Sequence, residues 1–117
     1  MTNKRGKIWG ATAEVMIAPT FEIHLLQIDE GGYCSQHRHA RKDNTFVCLD
    51  GYLEVMTWPE GSKKPDVTRL GAGEKTTVPA GTWHQFKAED EAQVLEIYTP
   101  AAISEDIERR SRGGLDE

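Results

Sequence analysis

The sequence is short of the features that direct a chain to a membrane or to a polyanion. No apolar run approaches the roughly 20 residues that a membrane-spanning helix needs, and residues 1–10 are polar and basic, unlike a secretory signal. Basic residues number 14 against 19 acidic ones, so the net charge of -5 leaves no basic field to attract nucleic acid. We therefore expect a cytoplasmic protein with a small-molecule ligand and with neither a membrane nor a nucleic acid as partner.

Cysteine is also scarce. Cys34 and Cys48 are too few to indicate a disulfide framework in a chain of this size, and we expect both to be reduced thiols. The sequence contains no repeat of fixed period and no low-complexity segment, and 117 residues suit one domain. Residues 1–117 are therefore interpreted as a single domain.

Short strands separated by turns fill most of the sequence. Apolar and β-branched runs predict strands at 21–28, 44–49, 52–58, 67–70, 75–78 and 93–99. The dipeptide Asp50-Gly51 favours positive φ and predicts a β-hairpin between the second and third of these runs. A further strand is expected around 8–15, and Ser104 can cap a short C-terminal helix within the tail at 101–117. Many short antiparallel strands favour a β-sandwich or barrel, of which the jelly roll is one form.

Three histidines have the spacing of a metal site. His37 and His39 are separated by one residue, and on an extended segment such side chains lie on the same face. His84 follows a turn at 79–81, which predicts a strand that brings a third imidazole to the same place. Three imidazoles suit a divalent transition metal, and we expect Zn, Ni, Fe, Mn or Cu.

Two motifs around these histidines resemble the two signatures of the cupin family. The first, at about 31–51, is GGYCSQHRHARKDNTFVCLDG, and the second, at about 73–88, begins GEKTTVPAGTWH. The resemblance implies an all-β fold, the double-stranded β-helix or jelly-roll barrel. It also implies a metal held inside the barrel by two histidines and an acid from the first motif and one histidine from the second. His37, His39 and His84 occupy the three histidine positions.

Two positions depart from the family pattern. Asn44 stands where the family usually has a glutamate, and Ala88 stands where it usually has an asparagine. A neutral amide oxygen is a weaker ligand than a carboxylate, and Asp43 should face away from the lumen unless a bulge re-aims it. Three interpretations stay open: Asn44 is a weak fourth ligand, the site uses three histidines and leaves positions for water and substrate, or the pocket is kept without a metal. We include Asn44 with the three histidines as metal ligands.

Four further residues are predicted to line the substrate pocket. They are Phe46, Cys48, Trp83 and Phe86. Phe46 and Cys48 lie two and four residues after Asn44, so on a strand they share its face. Trp83 and Phe86 flank His84. Packing is the plainer interpretation for aromatic and thiol side chains in a small barrel. Glu96 is expected to face solvent, with a general base inside the barrel as the alternative, so no catalytic residue is assigned.

Within the cupins, the chain is similar to small single-domain proteins related to type II phosphomannose isomerases and other sugar isomerases. The stretches that carry this similarity are HRHARKDNTFVCLDGYLEV, WHQF, VLEIYTP and SEDIERR. The similarity implies a metal-dependent isomerase of a sugar or sugar phosphate, in which the metal polarises a carbonyl while a base moves a proton. A three-histidine Fe(II) dioxygenase-type cupin and a non-catalytic sugar-binding or sensory cupin stay open as alternatives. Small cupins commonly pair, so we expect a homodimer in which the N-terminal strand covers a sheet edge.

Overall fold

The computed structural model describes residues 4–101, which fold into antiparallel β-strands joined by turns. In chain order the strands are β1 (Lys4–Lys7), β2 (Gly10–Ala18), β3 (Phe21–Ile28), β4 (Lys42–Asp50), β5 (Leu53–Trp58), β6 (Asp66–Leu70), β7 (Lys75–Val78), β8 (Trp83–Lys87) and β9 (Ala92–Pro100). The bounds of β3 and β7 coincide with the predicted runs. The predicted C-terminal helix lies outside the described residues. Within 4–101, no helix is long and apolar enough to cross a membrane.

The strands form two sheets that enclose one core. The larger sheet has the order β1-β2-β3-β9-β4-β7, and the smaller has the order β6-β5-β8. Buried side chains from both sheets meet between them, among them Leu26, Ile28, Phe46, Val94, Leu53, Val55 and Phe86. Each such side chain stabilises the fold by about 1.5–3 kcal/mol when it leaves water. The all-β jelly-roll fold predicted from the sequence is confirmed.

The hairpin predicted at Asp50-Gly51 is wrong. β4 pairs with β7 and β9 in the larger sheet, whereas β5 pairs with β6 and β8 in the smaller one. The turn therefore carries the chain from one sheet to the other. Gly51 has a φ of 80°, and an added Cβ would lie 2.6 Å from the carbonyl oxygen of Glu91, so this tight crossing requires glycine.

The turn that precedes β8 is tied to the segment that carries the first two histidines. Asp43 Oδ1 accepts a hydrogen bond of 2.8 Å from Ala80 N, and His39 O accepts one of 2.7 Å from Gly81 N. The Asp43 carboxylate is thus engaged at the turn, as expected of a residue that faces away from the lumen. These contacts fix the start of β8 relative to the first histidine pair.

Candidate metal centre

The three predicted histidines converge. His84 N donates to His37 O over 2.8 Å and His37 N donates to His84 O over 3.0 Å, so the backbone joins the two segments directly. The ring centroids of His37, His39 and His84 lie 4.4 to 5.5 Å apart. One ligand atom from each residue lies within 4.8 Å of the others, so the trio could hold a metal ion.

Hydrogen bonds to backbone carbonyls determine which ring nitrogen two of these histidines can offer to a metal. His37 Nδ1 donates to Ser35 O at 2.7 Å, and His84 Nδ1 donates to Thr82 O at 2.9 Å. A neutral imidazole that donates from Nδ1 keeps its lone pair on Nε2. Carbonyl acceptors of this kind orient metal-binding imidazoles and raise their basicity. Both rings therefore present Nε2 as the ligand atom.

The environment keeps the imidazoles in the form that binds metals. Burial lowers the pKa of His39 to about 4, and the charges of Lys42, His37 and His84 act in the same direction. Burial also lowers the pKa of His84, although its hydrogen bond to Thr82 opposes the shift. Neutral imidazole is the form that ligates a cation, and these two rings are neutral at pH 7.

Asn44, on β4, lies beside the histidines and is 1% exposed. Its amide Nδ2 is 3.4 Å from His84 Nε2 and 3.2 Å from Glu96 Oε2. Among the described residues, the buried side-chain polar atoms without a hydrogen-bond partner are His39 Nε2 and Asn44 Oδ1. Buried polar atoms normally have a partner. The unpartnered Nε2 of His39 fits a cation as its missing partner, whereas the Asn44 atom nearest His84 is the donor Nδ2.

The expectation that Glu96 faces solvent is wrong. Its side chain is 9% exposed and contacts Asn44 on the inward face of β9. β9 lies between β3 and β4 in the larger sheet, and its alternate residues from Ala92 onward point into the barrel. The apolar residues Leu95 and Ile97 blur this alternation in the sequence, which is why the inward position of Glu96 was missed.

Tyr98, also on β9, is a polar neighbour of the site that the sequence did not identify. Tyr98 and Glu96 line the same cavity. Burial first, then the negative charge of Glu96, raise the pKa of Tyr98 well above its usual range. Tyr98 therefore stays protonated beside the Glu96 carboxylate, which accepts a hydrogen bond from Asn44.

Three of the predicted pocket residues are buried in the core, and one of them, Phe46, contacts His84. The Phe46 ring centroid lies 6.2 Å from that of His84 and 5.9 Å from that of Phe86. Cys48 is fully buried, and its thiol donates to the carbonyl oxygen of Gly51 over 3.4 Å. Both cysteines of the chain are free thiols, and burial raises the pKa of Cys48 and raises that of Cys34 to about 11. Raised pKa values make both thiols poor nucleophiles.

Trp83 lies on the opposite face of β8 from its neighbour His84 and is 42% exposed. The guanidinium of Arg38 stands over the Trp83 ring at 4.7 Å from its centroid. Both residues line an open cavity on this side of the strand together with Trp58. The substrate-pocket roles of Trp83, Phe46, Cys48 and Phe86 stay predictions.

Two cavities share Tyr98, and each reaches one of the histidines. A cavity of about 460 Å³ is lined by His37, Glu96 and Tyr98, among others. A cavity of about 520 Å³ is lined by His39, Lys42 and Tyr98, among others. The Lys42 ammonium lies 3.8 Å from the centroid of the Tyr98 ring. Cavities of this size accommodate small metabolites.

A family model described as a cupin domain matches residues 24–98, a span that contains the three histidines, Asn44 and Glu96. A comparison with curated proteins gives no match.

Several solved structures share the fold. KdgF from Halomonas sp. is similar with a TM-score of 0.72 and 22% identity, over 84% of this chain and 87% of that one. A cupin-2 domain containing protein from Shewanella frigidimarina gives a TM-score of 0.64 and 20% identity, over 81% of this chain and 84% of that one. Bacillus subtilis oxalate decarboxylase, which has Mn(II) centres, gives 0.72 and 19%, over 89% of this chain and 29% of that one. At these identities the similarity establishes the fold alone.

Proposed function

The chain belongs to the cupin domain family, and from that premise we propose that it is a metal-dependent enzyme that isomerises a small polar metabolite, a sugar or sugar phosphate. The observation that carries the proposal is the position of one buried carboxylate, that of Glu96, next to three convergent imidazoles. A Lewis acid beside a proton acceptor is the combination that interconversion of an aldose and a ketose requires.

The metal is assigned to His37, His39 and His84, with Asn44 Oδ1 as the fourth protein ligand. The convergence of the three rings supports the histidine ligands, and Asn44 contributes Oδ1 when its amide is turned so that the oxygen stands where Nδ2 is now 3.4 Å from His84 Nε2. A set of neutral nitrogen donors suits Zn, Ni, Fe, Mn or Cu, and oxalate decarboxylase, which shares the fold, has Mn(II) centres. When bound, a divalent ion polarises the carbonyl oxygen of the substrate and makes the neighbouring C–H bond more acidic.

Glu96 is assigned to proton transfer. Its carboxylate lines the same cavity as His37, so a substrate held against the histidines lies within its reach. In an aldose-to-ketose conversion, Glu96 accepts the proton from C2, the carbon next to the carbonyl, and delivers it to C1, the carbonyl carbon. A second proton moves from the oxygen on C2 to the oxygen on C1. The product is therefore an isomer, and no other reactant is consumed. Asn44 Nδ2 donates to the Glu96 carboxylate over 3.2 Å and keeps it in place.

The cavity beside His39 favours a substrate that carries a phosphate or carboxylate. Lys42 and Arg41 line this cavity, and within the described part of the chain neither forms an ion pair with a carboxylate. The charge of Lys42 lowers the pKa of His39, which places the ammonium within electrostatic reach of the histidines. Glu22 also lines this cavity and contacts His24, so a bound anion would offset the remaining positive charge of Arg38, Arg41 and Lys42. A sugar phosphate therefore fits the site better than a neutral sugar.

The activity is tested with purified protein and a panel of aldose and ketose pairs, both neutral and phosphorylated. We expect turnover that a chelator abolishes and that readdition of one of the five metals restores. At saturating metal, Glu96→Gln should lower kcat by about 10²- to 10⁴-fold, the range that a general base contributes. Metal-loaded protein without turnover across the panel would contradict the proposed isomerisation.

Two alternatives each have an observation in their favour. Because Asn44 stands where the family usually has a glutamate, the assigned ligands include no carboxylate, which favours a three-histidine Fe(II) dioxygenase-type site. Oxygen consumption by the Fe(II)-loaded protein with thiols, diketones or aromatics would identify that activity. Glu96 already accepts a hydrogen bond from Asn44, which favours a sugar-binding or sensory protein without turnover. A rise of the melting temperature with a sugar ligand, without product formation, would identify that function.

A further inference from the structure

We propose that the outer face of the smaller sheet carries a second binding site, which takes a neutral oligosaccharide on the indoles of Trp58 and Trp83 beside the guanidinium of Arg38. We call these three side chains the outer row. The outer row is separate from the metal centre, because it lies on the face of the sheet that points away from the three histidines.

Strand pairing places the three side chains side by side. Trp58 on β5 is paired with Trp83 on β8. On the other edge of β8, His37 is bridged to His84, so Arg38, which follows His37, lies beside Trp83, which precedes His84. Side chains alternate across an extended segment, so the neighbours of inward histidines point outward. The outer row therefore crosses three adjacent segments on one surface.

The outer row leaves aromatic surface available to a ligand. Trp83 is 42% exposed even with the Arg38 guanidinium 4.7 Å from its ring centroid, and Trp58 is partly exposed. A sugar ring has an apolar face of C–H groups that packs flat against an indole. Side chains at paired positions start about 5 Å apart, which is close to the length of one sugar ring in a chain. Two indoles in a row thus suit two consecutive rings.

Polar side chains beside the outer row match the hydroxyl groups of a sugar. Gln36, Glu60 and Thr82 line the same cavity as the two indoles, and among the described residues their side chains have no hydrogen-bond partner. An amide, a carboxylate and a hydroxyl together offer donors and acceptors. Sugar hydroxyls both donate and accept, whereas a purely apolar ligand would bury these groups without partners.

The charge and the size of this cavity favour a neutral ligand of more than one ring. Of the side chains that line it, Arg38 and Glu60 are the charged ones, and they offset each other. Its volume is about 840 Å³, in the range of pockets that hold ligands larger than a single sugar ring. One wall is the turn at 59–62, which the hydrogen bond of 2.9 Å from Ser62 N to Pro59 O closes. A neutral oligosaccharide is therefore the occupant.

Isothermal titration calorimetry of the full chain measures the binding, in a phosphate-free buffer because Arg38 also borders the cavity beside His39. The probes are the hexasaccharides of β-1,4-linked glucose, β-1,4-linked mannose and α-1,4-linked glucose, with glucose itself as the single-ring comparison. We expect saturable binding of at least one hexasaccharide and much weaker binding of glucose, since one ring covers only one indole. A chelator should leave the affinity unchanged, because the outer row contains no metal ligand.

Substitutions in the outer row locate the binding. Trp83→Ala should lower the affinity about tenfold, the effect of losing one stacked ring, and Trp58→Ala should lower it as well. Trp83→Phe keeps a flat ring and should fall between wild type and Trp83→Ala. The matched control is Tyr52→Ala, which should bind like wild type. Tyr52 is 57% exposed and has Arg69 4.6 Å from its ring centroid, but it lies outside this cavity. Circular dichroism and thermal unfolding establish that each variant is folded.

Four results would overturn the proposal. They are a wild type that binds none of the hexasaccharides, glucose binding as tight as hexasaccharide binding, equal affinities of wild type and both Trp83 variants, and loss of binding on chelation. If no hexasaccharide binds and Trp83→Ala converts a dimer to a monomer in light scattering, the outer row is a contact between copies of the chain. None of these results depends on isomerase turnover, so this site and the proposed reaction can fail separately.

Discussion

Replacement of Phe46 by alanine should destabilise the barrel and weaken the metal site together. Phe46 has no exposed surface, and its ring centroid lies 6.2 Å from that of His84 and 5.9 Å from that of Phe86. Truncation of a buried phenylalanine costs about 3–5 kcal/mol, a large part of the roughly 5–15 kcal/mol that stabilises a domain. Because the His84 ring loses packing support, the metal affinity should fall as well.

Urea denaturation of the metal-free protein measures the first effect, and Co(II) titration at low temperature, where the variant is folded, measures the second. The urea midpoint should fall with an unchanged m-value, because the surface exposed on unfolding stays similar. Val67→Ala is the control, since Val67 is 55% exposed and surface changes usually stay within about 0.5 kcal/mol. A loss below about 1 kcal/mol in Phe46→Ala, far under the cost of a core cavity, would refute the packing argument.

Three further predictions concern pH, substrate charge and assembly. Burial lowers the pKa of His39 from 6.5 to about 4, so between these pH values the unfolded chain binds a proton at this ring more readily than the folded protein does. The free energy of unfolding of the metal-free protein should therefore be highest above pH 6.5 and decline as the pH falls toward 4. Urea titrations of His39→Gln should show a flatter dependence. Lys42→Gln should raise KM for a sugar phosphate and leave a neutral sugar unaffected, whereas the exposed control Lys64→Gln should change neither; equal effects on both substrates would remove the case for an anionic ligand. β2 exposes apolar side chains at 15–17 by 47 to 57%, so we propose this surface for the homodimer. Light scattering should show a wild-type dimer that Met16→Glu dissociates, and a monomeric wild type at micromolar concentration would count against pairing.

The sequence predicts local structure well where one strand or one motif contains the whole signal. The apolar and β-branched run Phe21–Ile28, ended by Gly31-Gly32, locates β3 without error. The spacing of His37, His39 and His84 is enough to predict their convergence, because both motifs combine a turn with a strand. The positive φ at Gly51 was also predictable from the dipeptide.

Pairing between strands depends on neighbours that are distant in the sequence, and here the predictions fail. β4 has β7 and β9 on its two edges, so it does not pair with β5 across the turn at Gly51. The partner of Asn44 is likewise remote, since Glu96 is 52 residues further along the chain. The sequence thus identified the unusual residue at position 44 but did not identify the carboxylate that accompanies it.

The central claim is that His37, His39 and His84 hold a divalent metal. The most direct measurement is elemental analysis of the protein after exposure to each of the five metals and removal of free ions. We predict about one bound ion per chain for at least one metal in wild type and in His24→Ala, whose ring pairs with Glu22 outside the trio, and its loss in His84→Ala. Wild-type protein without metal, or His84→Ala with an undiminished metal content, would contradict the claim.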